Sequence, residues 1–410
     1  MEYYPRKIEQ QLEKWIEKKE VILVRGPRQS GKTTLLLHLK DKHNGKYVTL
    51  EDEEILKTFE NAPKEFASRF IEKERNFLFI DEVQYCKKAG KIIKLLYDLF
   101  SEKLKLVVTG SGSFDIKVEV GKYLVGRAIY FELLPLDFEE FLIWKAGDLH
   151  KIFVSYKKAV KNFVINGKPI KLKPAFEAEF TSLLEEYLIF GGFPAIVKEK
   201  DNEMKKELLK NLTRTYLEKD IFFFLNIAHL EKFRSLLAFL SFNLGSLIEV
   251  SSIMRELRMD YKTVENYLSI LNATGIINLV SPFYKSLSTE LKKAKKVYFV
   301  DTGLRNSILN NFLSLENRTD KGILLENFVF NELKANFEGK LNYWRTTGKA
   351  EVDFILSLNN NIIPIEVKSG GKLRKGFLSF LKNYKPKRAL VLTEKELKTE
   401  KIDLTGGGVH

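Results

Sequence analysis

The apolar run Val21-Ile22-Leu23-Val24 leads into Gly26-Pro27-Arg28-Gln29-Ser30-Gly31-Lys32-Thr33, and no other stretch restricts the fold as strongly. An unbroken apolar run bounded by charge reads as a strand buried on both faces of a parallel sheet. The residues after it fit G-x-x-x-x-G-K-[ST], and the stretch Thr33–Lys40 continues as a helix. Strand, glycine loop and helix in that order let backbone N–H groups curl around an anion, with the helix N-terminus adding positive potential. Gly26, Pro27, Arg28, Gln29, Ser30, Gly31, Lys32, Thr33 and Thr34 are therefore the nucleotide-binding candidates. Lys32 is expected on the β/γ-phosphates and the Thr33 hydroxyl on Mg²⁺.

Further strand-like runs recur at Tyr47–Leu50, Phe77–Ile80, Leu106–Thr109 and Ala128–Leu133, with helical stretches between them. The alternation predicts an α/β domain with a parallel sheet. Phe77-Leu-Phe-Ile ends in Asp81-Glu82, so two carboxylates emerge at the strand end where such sheets bind ligands. Asp81 is expected in the Mg²⁺ shell, and Glu82 is expected to polarise an attacking water, which makes the site one for ATP hydrolysis. Ser111, in Thr109-Gly110-Ser111-Gly112-Ser113, is placed to sense the γ-phosphate, although a plain glycine turn reads almost as well. Arg127, after Gly126, is a candidate arginine finger, against the alternative of an ordinary surface arginine.

GPRQSGKTTLL, FIDEVQ, TGSGS, LVGRAIYFELLPLDFEEF and YLIFGGFP together resemble a family of prokaryotic AAA-type ATPases. The resemblance spans nearly the whole chain. It implies an AAA-like nucleotide domain, a helical lid, a winged helix and a nuclease-like C-terminal domain. The lysine-rich stretch 148–176 is longer and more basic than the resemblance leads one to expect, and its Asn166-Gly167 pair suggests an inserted hairpin or loop.

In the middle of the chain, Val250–Leu257 and Tyr261–Thr274 read as two helices around a turn, with Asp260 as cap and Val264, Tyr267, Leu268 and Leu271 on one face. Strand-like Ile276–Val280 and Val297–Val300 follow, which makes a helix-turn-helix with a wing. Tyr261, Lys262, Glu265 and Asn266 are expected to face outward. Lys292, Lys293, Lys295 and Lys296 in the wing are expected on phosphates, although such modules also serve for packing between domains.

Toward the C-terminus the turn Asn359-Asn360-Asn361 joins Glu351–Leu356 to Ile362–Lys368 as a hairpin. Pairing brings Asp353 close to Glu366, and Lys368 shares the face of Glu366 by period two. Two carboxylates and a lysine at that spacing resemble the PD-(D/E)XK nuclease superfamily. The resemblance implies Asp353 and Glu366 as ligands of Mg²⁺ or Mn²⁺, Lys368 as the catalytic lysine and Glu326 as an accessory ligand. Lys372, Arg374, Lys375, Lys385, Lys387 and Arg388 would then form a DNA-facing rim, or merely a soluble one.

With 410 residues the chain exceeds a single domain of ~100–200 residues. The expected division is 1–147 for the P-loop domain, 148–176 for the basic insertion, 177–240 for the lid, 241–300 for the winged helix and 301–410 for the nuclease-like domain. A net charge of +14 favours a polyanionic partner, DNA above all, but a heavily charged surface would give the same total. One cysteine, Cys86, excludes an internal disulfide framework and a cysteine-based zinc site. No run is long enough to span a bilayer, so the expected location is the cytoplasm, with ATP and DNA as partners and a second copy of the chain where an arginine is shared. The competing readings are a nucleotide-driven regulatory switch whose C-terminal modules bind protein, and a DNA-binding ATPase whose nuclease-like domain does not cleave.

Overall fold

The computed structural model describes residues 3–110, 121–170, 175–215, 229–284, 293–368 and 373–393. Ser111, Lys292, Lys372 and the glycine-rich C-terminal tail lie outside the described residues.

Five parallel strands, β1 (Val21–Arg25), β2 (Lys46–Thr49), β3 (Asn76–Asp81), β4 (Leu104–Gly110) and β5 (Ala128–Glu132), lie in the order β2-β3-β4-β1-β5. Alternation inside each apolar run sorts side chains to two covered faces. Leu23, Leu78, Ile80, Leu106 and Val108 pack on one side with Phe59, Phe66 and Ile93. Ile22, Val24, Phe79 and Val107 pack on the other with Leu12, Leu35 and Leu39 from helices Glu9–Ile16 and Lys32–Lys42. β4 separates the P-loop strand β1 from β3, so three strand ends, not two, converge on one pole of the sheet.

The stretch expected as a hairpin is instead a helix, Gly147–Asn166. Its apolar residues Val160, Phe163 and Val164 recur at helical spacing, and Phe163 and Val164 are buried. Asn166-Gly167 is a helix stop: Gly167 takes a left-handed φ of 72° and its N–H returns to the Phe163 carbonyl at 2.8 Å. Arg388, expected on a DNA rim, closes the same helix end by donating to the Val164 and Ile165 carbonyls at 2.5 and 2.8 Å.

Helices Glu177–Phe190, Pro194–Lys198, Asn202–Thr215 and Leu230–Phe242 follow. β6 (Leu247–Ile248), the helix pair Val250–Leu257 and Tyr261–Ala273, then β7 (Ile277–Val280) and β8 (Lys295–Phe299) make an antiparallel sheet ordered β6-β8-β7. Tyr261, Lys262, Glu265 and Asn266 are exposed, while Val264, Tyr267, Leu268 and Leu271 are buried. After helices Thr302–Ile308 and Lys321–Asn336 comes a second sheet, β12-β11-β10-β9, from β9 (Lys340–Arg345), β10 (Glu351–Leu358), β11 (Asn361–Lys368) and β12 (Leu390–Thr393). Helix Lys375–Tyr384 packs beneath it. β9 escaped the sequence reading because Asn342 interrupts its apolar character. That side chain is buried and donates to the Ser281 carbonyl at 3.0 Å, so its partner comes from a distant segment. One apolar cluster runs from Phe163 to Leu390 and joins the middle helices to the C-terminal sheet. Among the described residues no helix is long and apolar enough to cross a membrane.

Candidate functional site

The parallel sheet delivers its chemistry at the C-terminal ends of β1, β3 and β4. Gly26 leaves β1 so close to the Leu133 carbonyl that a Cβ would collide with it, and Gly31 enters the helix at a left-handed φ of 96°. Lys32 is buried and donates to the Gly26 and Pro27 carbonyls at 3.0 and 2.7 Å, folded over the loop it belongs to. Thr33 and Thr34 stand exposed on the first turn. The Thr33 hydroxyl donates to Asp81 Oδ2 at 2.6 Å, which ties the P-loop helix to the end of β3.

Asp81 is the hub. Besides Thr33 it accepts from the Tyr47 hydroxyl at 3.1 Å, the Glu82 N–H at 3.0 Å and the Thr109 hydroxyl at the end of β4. Glu82 takes a left-handed φ of 56°, unfavourable for a residue with a Cβ, and this turn aims its carboxylate off the sheet, where the Gln84 amide donates to it. Burial pushes the Glu82 pKa up, with the nearby Lys32 charge opposing it and Asp81 adding to it. A carboxylate of raised proton affinity at a phosphate loop is equipped to take a proton from water. The hydroxyl of Thr33 and the carboxylate of Asp81 are oxygen ligands of the kind Mg²⁺ uses, so the residues fit that ion.

Thr109 and Tyr47 were missed from the sequence. Thr109 was visible near the end of its strand, two residues ahead of Ser111 in sequence, but only the order β3-β4-β1 shows that it faces Asp81. Arg127 is not brought to the loop. It precedes β5, its carbonyl accepts from Val21 N–H at the start of β1, and its guanidinium pairs with Asp98 at 2.7 Å. That is the opposite pole of the sheet, a strand length of roughly 16 Å from the P-loop at ~3.3 Å per residue. Within one chain it is no finger.

The hairpin β10–β11 brings Asp353, Glu366 and Lys368 together, both carboxylates fully buried. Asp353 Oδ2 accepts the Val367 N–H at 2.8 Å, and Lys368 Nζ lies 3.4 Å from Glu366 Oε1. Arg374 stands between the two carboxylates, 2.6 Å from Asp353 Oδ1 and 3.2 Å from Glu366 Oε1. Burial, with Asp353 adding to it, pushes the Glu366 pKa up to about 7. Glu326 does not join them as a ligand. It is buried, accepts from the Tyr298 hydroxyl at 2.6 Å and pairs with Lys296 at 3.0 Å. Lys296 also pairs with Glu351 at 2.6 Å, so it is not a phosphate-binding wing residue. Among the described residues no three His, Cys, Asp or Glu side chains converge to hold a metal ion. The C-terminal trio, with a guanidinium in the gap, does not fit a metal in this arrangement.

Residues 18–142 match the family model described as AAA domain. This region is an AAA-type P-loop domain. Residues 181–315 and 321–405 match two further models, Domain of unknown function (DUF8612) and Domain of unknown function (DUF4143). Among curated proteins, the chain is 27% identical over 348 residues to "Uncharacterized protein MJ1544" of Methanocaldococcus jannaschii, covering 82% of this chain and 72% of that one. It is 25% identical over 415 residues to "Uncharacterized protein MJ1637" of the same organism, covering 96% and 85%. Among solved structures, the ADP form of the Aeropyrum pernix ORC2 protein superposes with a TM-score of 0.36 at 12% identity, covering 76% of this chain and 97% of that one. A superposition that loose has no bearing on function. The AAA match spans the hub at Asp81 and does not reach the C-terminal trio.

Proposed function

We propose that the chain is a magnesium-dependent ATP hydrolase whose nucleotide cycle drives the helical and C-terminal modules packed behind it. The observation that carries this is the bond from Thr33 to Asp81 with Lys32 and Glu82 at the same loop. Thr33 and Asp81 would hold Mg²⁺, which neutralises phosphate charge. Lys32, released from its own loop carbonyls, would pair with the β/γ-phosphates. Glu82 would orient and deprotonate the attacking water, and Thr109 and Tyr47 would keep Asp81 fixed. In this reading residues 1–147 are the motor, 148–176 the basic insertion, 177–240 the lid, 241–300 a winged helix and 301–410 a nuclease-like module. Arg127, turned away from its own loop, would reach only the nucleotide of a neighbouring copy.

DNA is the partner we expect, on the exposed face Tyr261, Lys262, Glu265 and Asn266 of the second helix of the pair. Cleavage would further require Arg374 to leave the gap between Asp353 and Glu366. The test is ATP turnover with and without single-stranded, duplex and branched DNA, the DNA being run on a gel afterwards, with Lys32→Ala as control. Turnover that Lys32→Ala abolishes and one DNA form stimulates supports the reading. Turnover indifferent to every DNA transfers the partner role to a protein. Turnover that survives Lys32→Ala refutes the site.

A further inference from the structure

The P-loop is gripped from outside by a residue that no motif contains. Arg6 lies just ahead of helix Glu9–Ile16 and is buried. Its Nη1 donates to the Ser30 carbonyl at 2.8 Å, and its Nη2 donates to the Leu134 carbonyl at 2.7 Å. Nε and Nη2 also clasp the Glu140 carboxylate at 3.0 and 3.2 Å. Glu140 is itself fixed: it completes the capping box of helix Phe138–Lys145 and accepts the Lys7 N–H at 2.9 Å. The neighbours of Arg6 pin the segment down as well, with Tyr3 stacked on His38 of the P-loop helix and Tyr4 on Trp144. On the same outer side, a Cβ on Gly31 would sit 3.6 Å from Arg6 Nη1 and 3.8 Å from the Pro194 ring of the Gly191-Gly192-Phe193-Pro194 break.

A peptide unit is planar and trans, so the C=O of one residue and the N–H of the next point in opposite directions. Holding the Ser30 carbonyl outward therefore turns the Gly31 N–H inward, to the side where Lys32 lies. We infer that Arg6 is a positioning residue of the nucleotide site, which presets the Ser30–Gly31 peptide so that its N–H meets the phosphates. The inference rests on the ATP-site reading. An amide aimed at a phosphate contacts ground state and transition state alike, so its loss weakens binding more than it slows the bound complex. A charge-assisted bond of this kind carries roughly ten- to a hundredfold in affinity.

The test compares the native chain with Arg6→Lys and with the double replacement Arg6→Gln/Glu140→Gln. Lysine keeps a charge beside Glu140, but a single ammonium cannot reproduce the fork that reaches two carbonyls and a carboxylate at once. The double replacement removes both buried charges together. Thermal unfolding without nucleotide reads the fold, a fluorescent ADP reads affinity, and steady-state turnover separates KM from kcat. The expected result is a Kd for ADP and a KM for ATP raised roughly ten- to a hundredfold, with kcat at saturation nearly unchanged. A folded variant with native Kd and KM overturns the role of Arg6, as does a kcat that collapses at unchanged KM. Should the double replacement fail to fold, Arg6→Lys decides by the same readings. A native chain that binds no nucleotide would instead overturn the ATP-site reading itself.

Discussion

Replacing Lys296 by methionine separates a buried ion pair from a phosphate-binding wing. The ammonium lies 3.0 Å from Glu326 and 2.6 Å from Glu351, with its side chain only 3% exposed. Despite burial, Glu326 and Glu351 hold its pKa above the usual lysine value. Methionine fills the space but leaves Glu326 with the Tyr298 hydroxyl alone, whereas Glu351 keeps Arg345 at 3.1 Å. Glu326, raised already by burial, then stays folded by taking a proton. That cost grows with pH above the unfolded carboxyl pKa of ~4.3, until the folded pKa is reached. The loss is therefore larger at pH 8 than at pH 5, the direction required of an acid whose folded pKa is raised, and breaking a buried pair of this kind costs on the order of 3–5 kcal/mol. Urea unfolding at the two pH values, followed at the buried Trp344, measures it. Adding Glu326→Gln should recover most of the loss, because no charge is then stranded. A loss below ~1 kcal/mol that ignores pH, as for a surface lysine, would refute the argument.

Glu82→Gln should lower kcat by about 10²–10⁴ while fluorescent ATP still binds, and an equal loss of binding would make Glu82 structural. Thr109→Val removes a donor to Asp81 and should reduce turnover without unfolding the sheet; unchanged turnover would make Thr109 a bystander. Arg127→Ala should slow hydrolysis more than it weakens ATP binding, and the defect should be relieved in mixtures with Lys32→Ala, whose arginine is intact. Mixtures no more active than Arg127→Ala alone would confine Arg127 to its pair with Asp98. Arg374→Ala should gain a rise in unfolding temperature with Mn²⁺ that the native chain lacks; equal shifts in both would show that the guanidinium does not hold the gap between Asp353 and Glu366.

Local pattern was enough wherever the physics is local. The glycine loop after β1, the apolar strands of the parallel sheet, the cap at Asp260 and the hairpin around Asn359–Asn361 all follow from backbone freedom, period and turn chemistry within a few residues. The same signals misled where a residue has two meanings. Asn166-Gly167 fits a hairpin turn and a helix stop equally, and only the packing of Phe163 and Val164 against the middle helices chooses the second. Lys296 and Arg388 count as surface charge in any composition argument. Their partners, Glu326 and Glu351 for one and the end of helix Gly147–Asn166 for the other, are remote in sequence.

What the sequence determined by itself is a phosphate loop joined to an acidic strand end in an α/β sheet, because those residues act through their immediate neighbours. Tertiary structure alone decided that Thr109 serves Asp81, that Arg6 holds Ser30, that Arg127 faces away from its own loop and that Arg374 fills the gap between Asp353 and Glu366. Each of those depends on strand order or on a contact between distant segments. Charge and hydrogen bonding act through space, and no spacing along the chain records which groups the fold will bring within 3 Å of one another.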